Sequence, residues 1–279
     1  MTDISSIPTG GRRIAALPMY DFPELRADTD ALWTRLAESL ADAGLSDVPA
    51  TLTRGRPHFD LWRDPNLLLA QACEYPIATD HAGAVQLVAT PRYTAEGCAG
   101  ARYRSAIVVR RHEPAETLAD MRGLRCVINE RSSNSGMNLL RAGVAPLAQG
   151  RSFFDFVLIS GAHRRSVEMV VNGEADLAAI DCVTWAHIQN FAPEQTGALR
   201  VLGWTELSPS LPLVTAATAD AATVRALRDS LNDLIADPAL APARERLFLA
   251  GFDFEPDRSF TQVLGLARRA TELHYPDLV

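Results

Sequence analysis

Nothing in this sequence approaches the run of roughly 20 apolar residues that a membrane-spanning helix needs, so no stretch of it reads as a bilayer segment. The N-terminus, MTDISSIPTGGRRIAAL, holds no apolar stretch of signal-peptide length before the first expected strand. As written, this predicts a cytoplasmic protein; an export signal preceding it would make the protein periplasmic. An excess of basic charge is also missing. The net charge of −7 excludes a general nucleic-acid binder, which needs a basic face. Cysteine is scarce, and Cys73, Cys98, Cys126 and Cys182 form no CxxC pair. Buried free thiols are the expected state, not a disulfide framework or a metal centre. The sequence has no GxxxxGK[ST] phosphate loop, no HExxH and no GxSxG, and its six histidines are dispersed. No metal or cofactor is expected.

These absences leave room for a local anion site, because backbone dipoles and hydroxyls need no net charge. One stretch has the right order of parts: Leu124 to Arg141, LRCVINERSSNSGMNLLR. The apolar run Leu124 to Ile128 has strand length. A polar turn, Asn129 to Asn134, follows. Ser135, Gly136 and Met137 then lead into Leu139, Leu140 and Val144 at helical spacing. A strand that ends in a Ser- and Gly-rich turn and opens a helix presents free N–H groups beside hydroxyls, which favours a small anion. Plain helix capping by Ser and Asn is the competing reading.

The rest of the chain alternates short apolar runs with helical spacing. Strands are expected at Arg13–Leu17, Val48–Leu52, Leu67–Cys73, Val85–Ala89, Tyr103–Arg110, Phe156–Ile159, Leu177–Ile180, Leu199–Leu202 and Leu213–Ala217. Helices are expected through Leu32, Leu36 and Leu40 with Gly44 as stop, from Pro114 to Gly123, and after Asp220, followed by a helical tail. The 279 residues, 47% hydrophobic, allow one large or two medium domains. Strands alternating with helices predict an α/β protein whose parallel sheets are covered on both faces, with ligands beyond the carboxyl ends of the strands. Polar or aromatic residues fall at those ends repeatedly: Tyr20, Glu74, Tyr75, Ser132 to Gly136, His163 and Asp181.

In order and spacing, LPMYD (17–21), CEYPI (73–77), LADMRGLRCVINERSSNSGMNLLR (118–141), GAHRRSVEMVVNGEADLAAIDCVTW (161–185) and the helical tail resemble the phosphonate-type substrate-binding proteins of ABC transporters. The resemblance runs from Arg13 to the end of the chain. It implies the two-lobed type II periplasmic-binding-protein fold, each lobe a mainly parallel sheet flanked by helices and joined to the other by two hinge strands. One lobe would comprise residues 1–105 and 204–279, the inserted one 106–203. The pivots would lie near Ala106–Val109 and Leu199–Leu202.

The same resemblance puts Ser132, Ser133, Ser135 and Gly136 on the anionic group of a phosphonate, phosphate or related ligand, with His163 close by. It draws Tyr20 and Tyr75 from the other lobe. Glu74 and Asp181 would face an amine on the ligand, or cap helices, or pair with Arg131, Arg164 or Arg165; Tyr103 and Trp185 are further candidates. It implies a monomer that changes nothing chemically and delivers a small anionic ligand to an ABC-transporter permease. A cytosolic enzyme of the same fold acting on a small anionic metabolite, and a ligand sensor feeding a partner protein, stay open as alternatives.

Overall fold

In the computed structural model, residues 12–254 and 259–279 are described. In chain order the regular elements are β1 (Ile14–Ala16), α1 (Arg26–Asp42), α2 (His58–Trp62), β2 (Leu67–Gln71), α3 (Glu74–Ala78), β3 (Val85–Tyr93), β4 (Arg102–Tyr103) and β5 (Ser105–Arg110). They continue with β6 (Arg125–Ile128), α4 (Leu139–Ala148), β7 (Phe156–Ile159), α5 (His163–Val171), β8 (Leu177–Asp181), α6 (Cys182–Phe191), α7 (Pro193–Gly197) and β9 (Leu199–Trp204). The last are β10 (Ser208–Pro209), β11 (Leu213–Ala216), α8 (Ala221–Ala236), α9 (Ala241–Arg246), β12 (Leu249–Asp253) and α10 (Ser259–Glu272).

Two five-stranded sheets form the two lobes. The outer sheet has the order β1-β2-β11-β3-β12 and the inserted sheet β7-β6-β8-β5-β9. Both are mixed. In the inserted sheet β6, β7 and β8 run parallel, while β5 lies antiparallel to both β8 and β9. In the outer sheet β1 and β2 are parallel, and the late strands β11 and β12 pair antiparallel with their neighbours. In each sheet the strand by which the chain arrives from the other, β5 in the inserted sheet and β11 in the outer one, runs antiparallel to its neighbours.

Side-chain alternation decides how each sheet is covered. In β5, Ile107 and Val109 join a core with Cys126, Ile128, Leu140 and Val144, while Ala106 and Val108 face Val127, Val167, Val170 and Ile188. Both faces are thus buried, which is why these strands read as unbroken apolar runs. The outer sheet packs Leu32, Leu36, Leu227 and Leu231 of α1 and α8 on one face, and Leu61, Trp62 and Ile77 on the other.

Four expectations differ from the structure. Val48–Leu52 forms no strand, and only Leu118–Met121 of the expected Pro114–Gly123 helix makes a helical turn. Thr117 N–H donates to Asp120 at 2.8 Å, which satisfies that turn locally. The strands expected as pivots, β5 and β9, lie inside the inserted sheet. The passage between lobes is the adjoining antiparallel pair β4 and β10, with Tyr103 opposite Ser208. The apolar density of β5 and β9 reflects a buried sheet, whereas the crossings are short and polar. The C-terminal segment spans both lobes: α10 packs against α3 and α4, and Tyr275 and Leu278 are buried in the inserted core.

Candidate functional site

A cleft of about 380 Å³ opens between the lobes. Its inserted-lobe wall is built at three strand ends. After β6, Ser133 caps a π-helical turn, Asn134–Asn138, by accepting the Gly136 N–H at 3.0 Å. The turn is wide because Asn138 N–H reaches back to Ser133 O, five residues earlier, at 3.0 Å. Such widened turns recur at functional sites. Two buried asparagines hold it. Asn134 donates to Tyr103 Oη at 3.2 Å and Ser208 Oγ at 2.9 Å, one on each crossing strand, and Asn138 donates to Asn134 at 2.9 Å.

After β7, His163 opens α5 and lays its Nε2 2.7 Å from Ser135 Oγ, which stands 3.4 Å from Ser133 Oγ. Packing pushes the imidazole down to about 4, so it is neutral near pH 7. Its Nδ1 is shut off from solvent with no partner. After β8, Asp181 caps α6, with Oδ1 accepting from Val183 N–H at 2.8 Å and Thr184 N–H at 2.9 Å. Burial raises this carboxyl to about 6, against those donors and the Tyr20 hydroxyl.

The opposite wall comes from the short helical turn Pro18–Tyr20, from Asp21 to Pro23, and from His58. Among the contacts that cross the cleft, Tyr20 Oη donates to Asp181 Oδ2 at 3.0 Å, Arg164 pairs with Glu24 at 2.9 Å, and His58 Nε2 lies 3.5 Å from Glu130.

Of the residues singled out in the sequence, Tyr20, Ser132, Ser133, Ser135, His163 and Asp181 line this cleft. Gly136 lies directly behind it. A Cβ there would stand 1.9 Å from Asn129 Oδ1 and 3.2 Å from the His163 ring, so only glycine lets these three groups close up. Glu74 and Tyr75 do not reach the cleft. Glu74 is fully buried at the start of α3, and the Tyr75 hydroxyl accepts from Arg141 at 3.3 Å. Glu74 is buried with Pro76 and Ile77 of α3, while Tyr75 is half-buried against the inserted core. Tyr103 is buried under the π-helical turn, and Trp185 packs in the inserted core.

Asn129, His58 and Thr184, which the sequence pattern does not single out, also line the cleft. Asn129 Oδ1 is buried without a partner. Its place immediately after β6, at a strand end, was the available signal. His58 and Thr184 carry none.

The inserted wall therefore presents hydroxyls, an imidazole and the start of α5 toward the cleft. Its nearest cation, Arg164, is engaged by Glu24. Such an arrangement suits an oxyanion bound through hydrogen bonds more than through net charge. No cluster of side chains with metal-binding geometry occurs among the described residues, and no described helix is long and apolar enough to cross a membrane.

A family model described as the periplasmic substrate-binding protein of phosphonate ABC transporters matches residues 65–256, well over half of the chain. None of the curated proteins matches it. Among solved structures, a binding-protein component of a Pseudomonas aeruginosa ABC phosphonate transporter superposes with a TM-score of 0.74 at 17% identity, over 94% of this chain and 88% of that one. PhnD1 from Prochlorococcus marinus in complex with methylphosphonate gives 0.74 at 14% identity, over 94% and 99%. XAC2383 from Xanthomonas citri bound to ATP gives 0.69 at 16%, again over 94% and 99%. Identities this low show a shared fold.

Proposed function

The chain belongs to the phosphonate-type periplasmic substrate-binding proteins of ABC transporters, and on that premise we propose that it clamps a small phosphonate, phosphate or related oxyanion between its lobes. The observation that carries this reading is the convergence of Ser133 Oγ, Ser135 Oγ and His163 Nε2 on one wall of the cleft. Ser132 sits at the rim of the same wall. A bound oxyanion takes the hydroxyl and imidazole hydrogens that these groups now share among themselves. Tyr20 closes over it from the outer lobe. Asp181 is mainly structural: it caps α6 and accepts the Tyr20 hydroxyl, so an amine on the ligand would have to compete with three donors already in place.

The ligand leaves unchanged. Ser135 and His163 have the spacing of a nucleophile and its base, but no carboxylate orients Nδ1, and an imidazole held near 4 is a weak base at neutral pH. The lobes pivot at β4 and β10, and the contacts across the cleft hold them shut. The family's role supports delivery to an ABC-transporter permease on the periplasmic face.

Calorimetric titration with methylphosphonate, with ATP as the comparison ligand, tests the reading. Stoichiometric methylphosphonate binding with the ligand recovered intact is expected. Steady product formation would point to an enzyme on this fold, and no binding would remove phosphonates as the ligand class.

A further inference from the structure

The four cysteines are scattered along the sequence, yet the fold brings two of them together. Cys98 lies in the loop that leaves β3 of the outer sheet and leads to the crossing strand β4. Cys182 is the first residue of α6 on the inserted lobe. Their Sγ atoms stand 3.4 Å apart although 84 positions separate them. The other two cysteines are engaged differently. Cys73 Sγ accepts the Asn134 N–H at 3.4 Å, and Cys126 is buried in the inserted core.

The backbone around the pair is built for this approach. Gly97 has φ +97°, and a Cβ there would stand 2.9 Å from Cys182 Cβ and 2.8 Å from the Trp204 ring. Glycine thus lets the loop lie flat on the first turn of α6. The Cys182 N–H donates to Arg104 O at 3.1 Å, tying the same helix start to the residue after β4. Cys98 is half-buried while Cys182 is buried.

We propose that Cys98 and Cys182 form a disulfide that staples the outer-lobe loop to the first turn of α6, next to the Asp181 cap. The oxidant is a disulfide donor, which oxidising compartments supply. Exchange starts at the accessible sulfur. The Cys98 thiolate attacks one sulfur of the donor, the donor's S–S bond breaks, and one donor thiol leaves. Cys182 then attacks Cys98 Sγ and expels the second donor thiol. Two electrons pass to the donor, and the two cysteine protons end on its thiols. Forming the bond needs the sulfurs to close from 3.4 Å to about 2.05 Å, a shift confined to the β3–β4 loop that carries Cys98. A bond that closes so long a loop restricts the unfolded chain and so favours the folded one. The Cys98 contact and burial hold the Cys182 thiol well above its ordinary range, and Cys98 is the more accessible sulfur, so an outside reagent meets Cys98 first.

The inference depends on the proposed periplasmic setting only for its oxidant, and its test involves no ligand. The full-length purified protein is reduced, then incubated with oxidised glutathione and examined by intact mass, non-reducing peptide mapping and thermal melting. The mass should fall by two hydrogens, one linked peptide pair should join Cys98 to Cys182, and the oxidised form should melt higher than the reduced one. Cys98→Ser and Cys182→Ala should each abolish the link and the difference in melting, while Cys73→Ser keeps the link. Four free thiols after oxidation, glutathione left on Cys98, or a bond through Cys73 or Cys126 would overturn the proposal. Any of these leaves the anion site untouched, just as failure to bind methylphosphonate leaves the staple untouched.

Discussion

The two walls of the cleft are made in different ways. The inserted-lobe wall takes its groups from the ends of three parallel strands, β6, β7 and β8, each of which runs directly into a helix or helical turn. Ser133, His163 and Asp181 are therefore set by sheet register and by backbone hydrogen bonds. The outer wall takes Tyr20, His58 and Glu24 from short turns between longer elements. A wall at strand ends is rigid before anything binds; a wall of turns moves with its lobe. The first is suited to recognising the anion and the second to closing over it.

Steric change on the rigid wall breaks this division most strongly. Gly136→Ala places a methyl group where Asn129 Oδ1 now sits and should abolish methylphosphonate binding in calorimetry. Gly143→Ala, whose Cβ would meet only Leu118 at 3.6 Å, should leave binding as it was. Equal affinities for the two variants would show that the turn is not packed against the ligand site.

The next effect lies at the seam between the lobes. His187 of α6 is buried among Phe22, Phe191 and Phe248, and neither ring nitrogen has a partner. Burial holds its pKa down at about 4. The unfolded chain takes up this proton near pH 6.5 and the folded protein only near 4, so stability is lost as pH falls through that window, by up to about 3 kcal/mol. His163 adds in the same direction. Asp181, raised to about 6 from its ordinary 3.8, opposes them: its burial costs stability above about pH 6, and protonation relieves the cost as pH falls. His187→Phe should therefore melt higher than the parent at pH 5, with a smaller gain at pH 8. A gain independent of pH would mean that the histidine is solvated after all.

Hydroxyl removal on the rigid wall comes third. A hydrogen bond to a charged partner is worth about 1.5–3 kcal/mol, so Ser135→Ala should weaken methylphosphonate binding roughly ten- to a hundredfold. Ser133→Ala should lose comparable affinity and also about 1 kcal/mol of stability, because its hydroxyl caps the turn. Calorimetry and melting on the same samples separate the two roles. Serines that alter melting alone are caps and nothing more.

The smallest effect belongs to the moving wall. The Arg164–Glu24 pair is partly exposed, and such pairs contribute under about 1 kcal/mol. Arg164→Ala should change affinity by less than about fivefold and act mainly on ligand release, measured by stopped flow. A loss as large as that of Ser135→Ala would make Arg164 a direct ligand contact.

The same contrast explains what was legible in the sequence. The strand ends of the inserted lobe show as apolar runs halted by Ser, Gly, His or Asp, because β6, β7 and β8 each lead straight into a helix. The sequence therefore indicates where Ser133, Ser135, His163 and Asp181 lie in the chain. It does not show that the Tyr20 hydroxyl meets Asp181 across 161 positions, since nothing local encodes that distance. Glu74 and Tyr75 look like cleft residues because they also follow a strand. In a five-residue helix, however, periodicity is too short to tell inward from outward, and packing buries Glu74 and holds Tyr75 against the inserted core. The strands expected as pivots differ from the crossing strands for a related reason: apolar density marks β5 and β9, whereas β4 and β10 are only two residues each. The meeting of Cys98 with Cys182 depends wholly on tertiary folding.

The most direct measurement is a crystal structure of the protein with methylphosphonate bound. The phosphonate oxygens are expected within hydrogen-bond distance of Ser133 Oγ, Ser135 Oγ and His163 Nε2, with Tyr20 closed over them from the outer lobe. A phosphonate held instead by the outer wall alone, or a cleft left empty at saturating ligand, would contradict the account.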